Sequence, residues 1–170
     1  MAYVEGQTVH DADSHIMELP GTINRYLDAK FRDDFVAKTG RKDVLPEWFA
    51  KAAEKAKDPE FLAGAEANIL LRKNYEALGA FNASDRPKTL DYLGFASQLV
   101  FTTACLSNFG LEQMGEVELA GEAARGHNRM MADFCSVDRR LLGTGYVPLV
   151  DRKRAPEIAR EALALGCKAL

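Results

Sequence analysis

The chain has 170 residues, 47% of them hydrophobic and 28% charged, an ordinary balance for one globular domain with its own core. A net charge of −3 leaves no basic footprint for nucleic acid. No apolar run reaches the roughly 20 residues of a membrane helix, and the opening MAYVEGQTVHD has neither the basic nor the apolar region of a signal peptide, so a cytoplasmic protein is expected.

In chain order, the first predicted element is a strand over Thr8–Asp13, TVHDAD. It opens an abrupt acidic stretch, TVHDADSHIMELP, in which Asp11, Asp13 and His15 are spaced by two. In a regular strand that spacing puts all three side chains on one face, with His10 opposite. Carboxylates on a largely apolar sheet are costly unless compensated. A divalent cation with a neutral imidazole compensates both. The plainer reading has Asp11 and Asp13 solvated at a strand end or capping the following turn, with His15 an ordinary histidine.

Between His15 and Ser84 runs a long polar stretch of helical pattern, broken near Asp58-Pro59. Its part from about 38 to 81 reads as a helical insertion after the first strand, where α/β folds build sites and lids. Its aromatics Trp48, Phe49, Phe61, Tyr75 and Phe81 either line a pocket or pack helices together. SDRPKTLDYLG then reads as a helix capped at Ser84 and closed at Gly94.

A second strand is predicted at Ser97–Thr103 and a long helix from Leu111 to about Asp138. The helix carries Val117, Ala120, Ala124, Met131 and Phe134 on one stripe. His127 falls on that stripe and is expected to be buried and hydrogen-bonded. A third strand is predicted at Gly143–Leu149. APEIAREALALG has Pro156 near a helix start and Gly166 just past its end. In it, Ile158, Ala159, Ala162, Leu163 and Leu165 form an apolar face, and Glu157, Arg160 and Glu161 a wet one. A fourth strand, CKAL, covers Cys167–Leu170.

Strands alternating with helices imply an α/β fold with parallel pairing. Cys105, Cys135 and Cys167 are odd in number and far apart, so buried reduced thiols are expected. No G-x-G-x-x-G follows a strand, which removes the usual dinucleotide site.

HDADSHIMELP resembles the opening of the metal-dependent amidohydrolase-related family, in the branch of aminocarboxymuconate-semialdehyde decarboxylase and the aromatic acid decarboxylases. Members begin with a strand carrying H-x-H, E-x-H or D-x-H, often followed by Glu-Pro. RPKTLDYLGFASQLVFTT and AARGHNRMMADFCSVDRRLLGTGYVPLVDRKRAPEIAREALALGCKAL continue the likeness, leaving only the Lys38–Phe81 excursion outside it.

The resemblance implies that residues 1–170 are the N-terminal part of a (β/α)₈ TIM barrel. It implies one divalent ion, zinc with manganese as the alternative, bound by Asp13 and His15; Asp11 is expected to pack or hydrogen-bond below the site. A barrel takes about 250 residues, so the remaining ligands and the catalytic residues are expected beyond Leu170. The implied activity is a metal-dependent hydrolase, or a non-oxidative decarboxylase of a small aromatic or unsaturated carboxylic acid. Its partner is a small-molecule substrate, in a homodimer, with no nucleic acid and no membrane. The alternative from another class is a small non-enzymatic α/β binding domain.

Overall fold

The computed structural model describes residues 2–42 and 44–170. The fold is α/β. Three parallel strands, β1 (Val9–His15), β2 (Phe95–Phe101) and β3 (Leu141–Gly143), lie in chain order across one sheet. The predicted fourth strand appears as a single parallel bridge, Thr144 to Ala169. Two bonds extend it: Gly145 N donates to Ala169 O, and Lys168 N donates to Gly143 O, both at 2.8 Å.

Each strand sits a few residues from its predicted place. The expected 8–13 is Val9–His15, 97–103 is Phe95–Phe101, and 143–149 contracts to Leu141–Gly143. The apolar run YVPLV that follows makes no ladder. Leu149 is 71% exposed, so hydrophobicity alone misplaced that strand.

Helices α1 (Ala29–Thr39), α2 (Glu47–Lys55) and α3 (Pro59–Ala63) follow β1. Lys38 lies inside α1, so the excursion has no boundary there. Gly40 closes α1 in the left-handed region at φ 68°. The break at Asp58-Pro59 is a capped start: Asp58 accepts from the N–H of Glu60 and of Phe61. Next comes α4 (Arg86–Leu93). Its cap position is Asp85, while Ser84 sits in a preceding 3₁₀ turn with its hydroxyl on Asn82.

The predicted long helix is two: α5 (Gly110–Gln113) and α6 (Val117–Cys135). Gly115 separates them at φ 75°, a conformation that ends a right-handed helix. The last helix is α7 (Ala155–Leu165), closed by Gly166 as predicted. Ile158 and Ala162 are buried, but Leu163 and Leu165 are exposed. Glu161 and Glu157, expected in water, pair with Arg125 of α6 at 2.7 and 3.4 Å. Among the described residues no helix is long and apolar enough to cross a membrane.

The core lies between the helices and one face of the sheet. Val100 and Leu141 pack there with Leu90 of α4 and Met131 and Phe134 of α6. Burying a side chain such as Val100 or Leu90 contributes about 1.5–3 kcal/mol. Gly143 belongs to the same face, where an added Cβ would stand 3.2 Å from Cys135 Sγ. The opposite face carries Ser97, Leu99, Phe101 and Leu142, all partly exposed. All three cysteines are free and buried, as expected.

Candidate metal centre

β1 does not keep the alternation its sequence suggests. Asp11 aligns with Gln98, and Ser14 with Val100. Between them β1 has two residues, Ala12 and Asp13, where β2 has one, Leu99, which is a bulge. The extra residue reverses the facing of everything after it. Asp11 and Ser14 therefore share the helix-covered face with Gln98 and Val100. His15 aligns with Phe101, stacks on its ring at 5.7 Å, and lies on the face of His10, whose Nδ1 meets Ser97 Oγ at 2.7 Å. The expectation that Asp11, Asp13 and His15 share one face is corrected: Asp11 points to the other side.

Asp13 and His15 still meet. Asp13 Oδ1 lies 3.3 Å from His15 Nε2. The Asp13 side chain is 86% exposed and that of His15 37%. His15 Nδ1 lies 2.9 Å from the Thr102 carbonyl oxygen and 3.1 Å from Thr103 Oγ1. A carbonyl only accepts, so Nδ1 carries the proton. In the neutral ring that leaves Nε2 as the lone pair, the tautomer a metal-bound histidine needs, and in the charged ring Nε2–H donates to the carboxylate.

Asp11 forms the bulge. Its Oδ1 accepts from the backbone N–H of Asp13 at 3.0 Å, and its Oδ2 accepts from Gln98 Nε2 at 3.1 Å. The turn-capping role weighed for Asp11 is seen in the Asp13 contact. Gln98 Oε1 in turn accepts from Arg86 Nε at 3.0 Å. Arg86 also donates to Ser14 Oγ and, at 3.4 Å, to the Gly79 carbonyl. Burial lowers the Arg86 guanidinium from its ordinary value, and the charge of Asp11 opposes that shift.

Sequence reasoning gave Glu18 no role, although it belongs to the ELP that carried the resemblance. Glu18 is 4% exposed. One carboxylate oxygen accepts from the Thr102 hydroxyl, and the other from the N–H groups of Thr103 and Ala104 at 3.0 and 2.8 Å. These N–H groups open the 3₁₀ turn Ala104–Phe109. Glu18 therefore anchors the same two threonines that hold the His15 ring. Its partners lie 84 to 86 positions along the chain, so no local sequence signal showed this role.

Two cavities flank Glu18. One of about 150 Å³ is lined by Arg41, Phe49, Tyr75 and Cys105. The other, about 340 Å³, is lined by Arg25, Tyr26, Phe81 and Phe134. Each sets a guanidinium beside aromatic rings. The excursion aromatics do both things considered for them. Trp48, Phe49 and Tyr75 pack with ring centroids 3.8–5.1 Å apart, while Phe49 and Tyr75 also face a cavity.

His127 is buried as expected. Its Nε2 meets the Thr144 carbonyl at 3.3 Å, and burial lowers its pKa. Asn128, next to it, clamps Tyr146 after β3: it donates to the carbonyl at 3.0 Å and accepts from the N–H at 2.7 Å.

Among the described residues no group of three or more His, Cys, Asp or Glu side chains is placed to hold a metal ion. Asp13 and His15 supply two donors of suitable type, and a tetrahedral site takes four ligands. The pair fits as half of such a site. No protein-family model and no curated protein matches this sequence.

Proposed function

We propose that the chain is the metal-strand portion of an amidohydrolase-related (β/α)₈ barrel. Asp13 and His15 begin its divalent-metal site, and the whole enzyme is a hydrolase or a non-oxidative decarboxylase of a small aromatic or unsaturated acid. The observation that carries this reading is the His15 ring. Its Nδ1 is held by Thr102 O at 2.9 Å, and its Nε2 faces Asp13 at the C-terminal end of a parallel strand. That is the end at which barrel enzymes place their chemistry.

Strand order supports the barrel. β1, β2, β3 and the Thr144–Ala169 bridge follow one another without reversal. α4 and α6 pack over the same sheet face, whereas a doubly wound sheet reverses at a switch point.

Bound zinc would lower the pKa of a coordinated water toward about 7 or polarise a substrate carboxylate. The chain's own residues do the rest. Thr102 and Glu18 fix the His15 ring, Asp11 fixes the Asp13 backbone, and the arginine-aromatic cavities suit an aromatic carboxylate. The resemblance puts the further ligands on later strands.

Zn²⁺ titrated into the protein against a chromophoric chelator tests the reading. Weak binding that disappears in His15→Ala is expected. Equal binding by wild type and variant would overturn it. Assays of carbon dioxide release and of ester or lactone hydrolysis on a panel of aromatic acids then separate the two activities.

A further inference from the structure

Arg86 is a buried cation without a direct carboxylate partner among the described residues. It is 5% exposed and begins α4, the helix end where a positive charge is least favoured. An apolar residue of similar size would pack there at lower electrostatic cost. Its three partners are Gln98 Oε1, Ser14 Oγ and the Gly79 carbonyl.

The orientation of Gln98 is fixed from both sides. The guanidinium only donates, so it requires the amide oxygen, and the Asp11 carboxylate only accepts, so it requires the amide nitrogen. Donation into Oε1 polarises the amide and strengthens Nε2–H as a donor to Asp11. Asp11 then passes the constraint to the backbone N–H of Asp13 at 3.0 Å. The sequence Arg86, Gln98, Asp11, Asp13 runs from the helix-covered face to the open face of the sheet. The bulge is where it crosses.

We propose that Arg86 and Gln98 are positioning residues for the metal pair: acting through Asp11, they hold the β1 bulge that turns Asp13 toward His15. This rests on the reading of Asp13 and His15 as metal ligands. At the bulge Asp13 N–H finds its acceptor in Asp11 Oδ1, and the other carboxylate oxygen of Asp11 is held by Gln98. Without that bond a regular strand would set Asp13 and His15 on the face of Asp11, under the helices.

Two readouts on the whole chain test this: hydrogen exchange of the Asp13 amide by heteronuclear NMR, and Zn²⁺ affinity by calorimetry. Gln98→Glu keeps the acceptor for Arg86 but sets a carboxylate against Asp11. Asp13 amide exchange should quicken about 5–10-fold, the value of one lost hydrogen bond. Zn²⁺ affinity should fall about 10–100-fold. Asp11→Asn should do the same.

The double variant Asp11→Asn with Gln98→Glu reverses the polarity of the relay and restores every donor to an acceptor. It should recover Asp13 protection and most of the Zn²⁺ affinity, a coupling that a merely structural role would not produce. Arg86→Lys keeps the charge, loses the Nε bond, and should quicken Asp13 exchange while the β3 amides keep their protection. A double variant no better than the single ones, or unchanged Asp13 exchange in Gln98→Glu, would overturn the proposal. If instead Asp13→Asn binds Zn²⁺ as wild type does, the metal reading fails, and the exchange data still decide the relay.

Discussion

His15 Nε2 and Asp13 Oδ1 face each other at 3.3 Å, while His15 Nδ1 is held by the Thr102 carbonyl at 2.9 Å. Thr102 O and Asp13 Oδ1 are both acceptors. A neutral imidazole has one N–H, and here it serves Thr102. The space between Nε2 and the carboxylate therefore calls for a proton or a cation.

The proposed metal site is tested through that geometry. Zn²⁺ binding should release protons, read as a dependence of calorimetric heat on buffer ionisation enthalpy, and affinity should weaken as pH falls. His15→Ala should abolish binding. Asp13→Asn should weaken it more than Asp11→Asn, since Asp13 is the proposed ligand and Asp11 acts through the backbone. The reverse order would show that the two carboxylates have been assigned the wrong way round.

Glu18 joins Thr102, Thr103 and Ala104 through one carboxylate. Glu18→Gln replaces an acceptor oxygen by an NH₂ group that cannot accept. A buried donor is then left unsatisfied, and destabilisation of about 1–3 kcal/mol is expected in urea unfolding. Zn²⁺ affinity should fall with it, because the His15 ring loses its fixed carbonyl. Unchanged stability would show that the turn holds itself.

His127 gives a pH dependence of known sign. Burial lowers its pKa in the native state below the unfolded value of 6.5. Above that value both states are neutral and the full stability is present. As pH falls through it, the unfolded chain takes up a proton that the native state refuses, so stability declines until the native pKa is reached. Urea midpoints measured from pH 7.5 down to 5 should fall more steeply in wild type than in His127→Gln. Parallel curves would contradict this.

Cys105 and Cys135 are each pushed up to about 12 by burial. Thiolate at pH 8 is then scarce, and the thiols are shielded. A thiol reagent should label the native protein only as fast as it opens, and urea should accelerate labelling steeply. Rapid native labelling at either position would show an accessible thiol.

Gly94 turns from α4 into β2 at φ 76°, and a Cβ there would stand 2.2 Å from the Val4 carbonyl oxygen. Gly94→Ala should cost about 1–3 kcal/mol from the backbone strain alone. The added clash should release the N-terminal segment, whose Tyr3 and Val4 N–H groups donate to Tyr92 O and Leu93 O. Amide exchange at Tyr3 and Val4 reads that release directly.

The sequence by itself determined the α/β alternation, because apolar runs and helix periodicity depend only on neighbours along the chain. It located the closing glycines Gly94 and Gly166, the helix break near Asp58-Pro59 and the buried cysteines. It placed Asp13 and His15 together. Tertiary structure alone decided which way they face. A period-2 reading assumes an unbroken strand, and the β1 bulge depends on Gln98, 87 positions away from Asp11. Glu18 was illegible for the same reason: its carboxylate is satisfied by Thr102–Ala104, 84 to 86 positions on. The strand limits were equally non-local. YVPLV is as apolar as QLVF, yet only the latter finds backbone partners on both sides. A hydrogen-bonded ladder and a buried carboxylate are set by whatever the fold brings opposite them, and no spacing along one chain contains that.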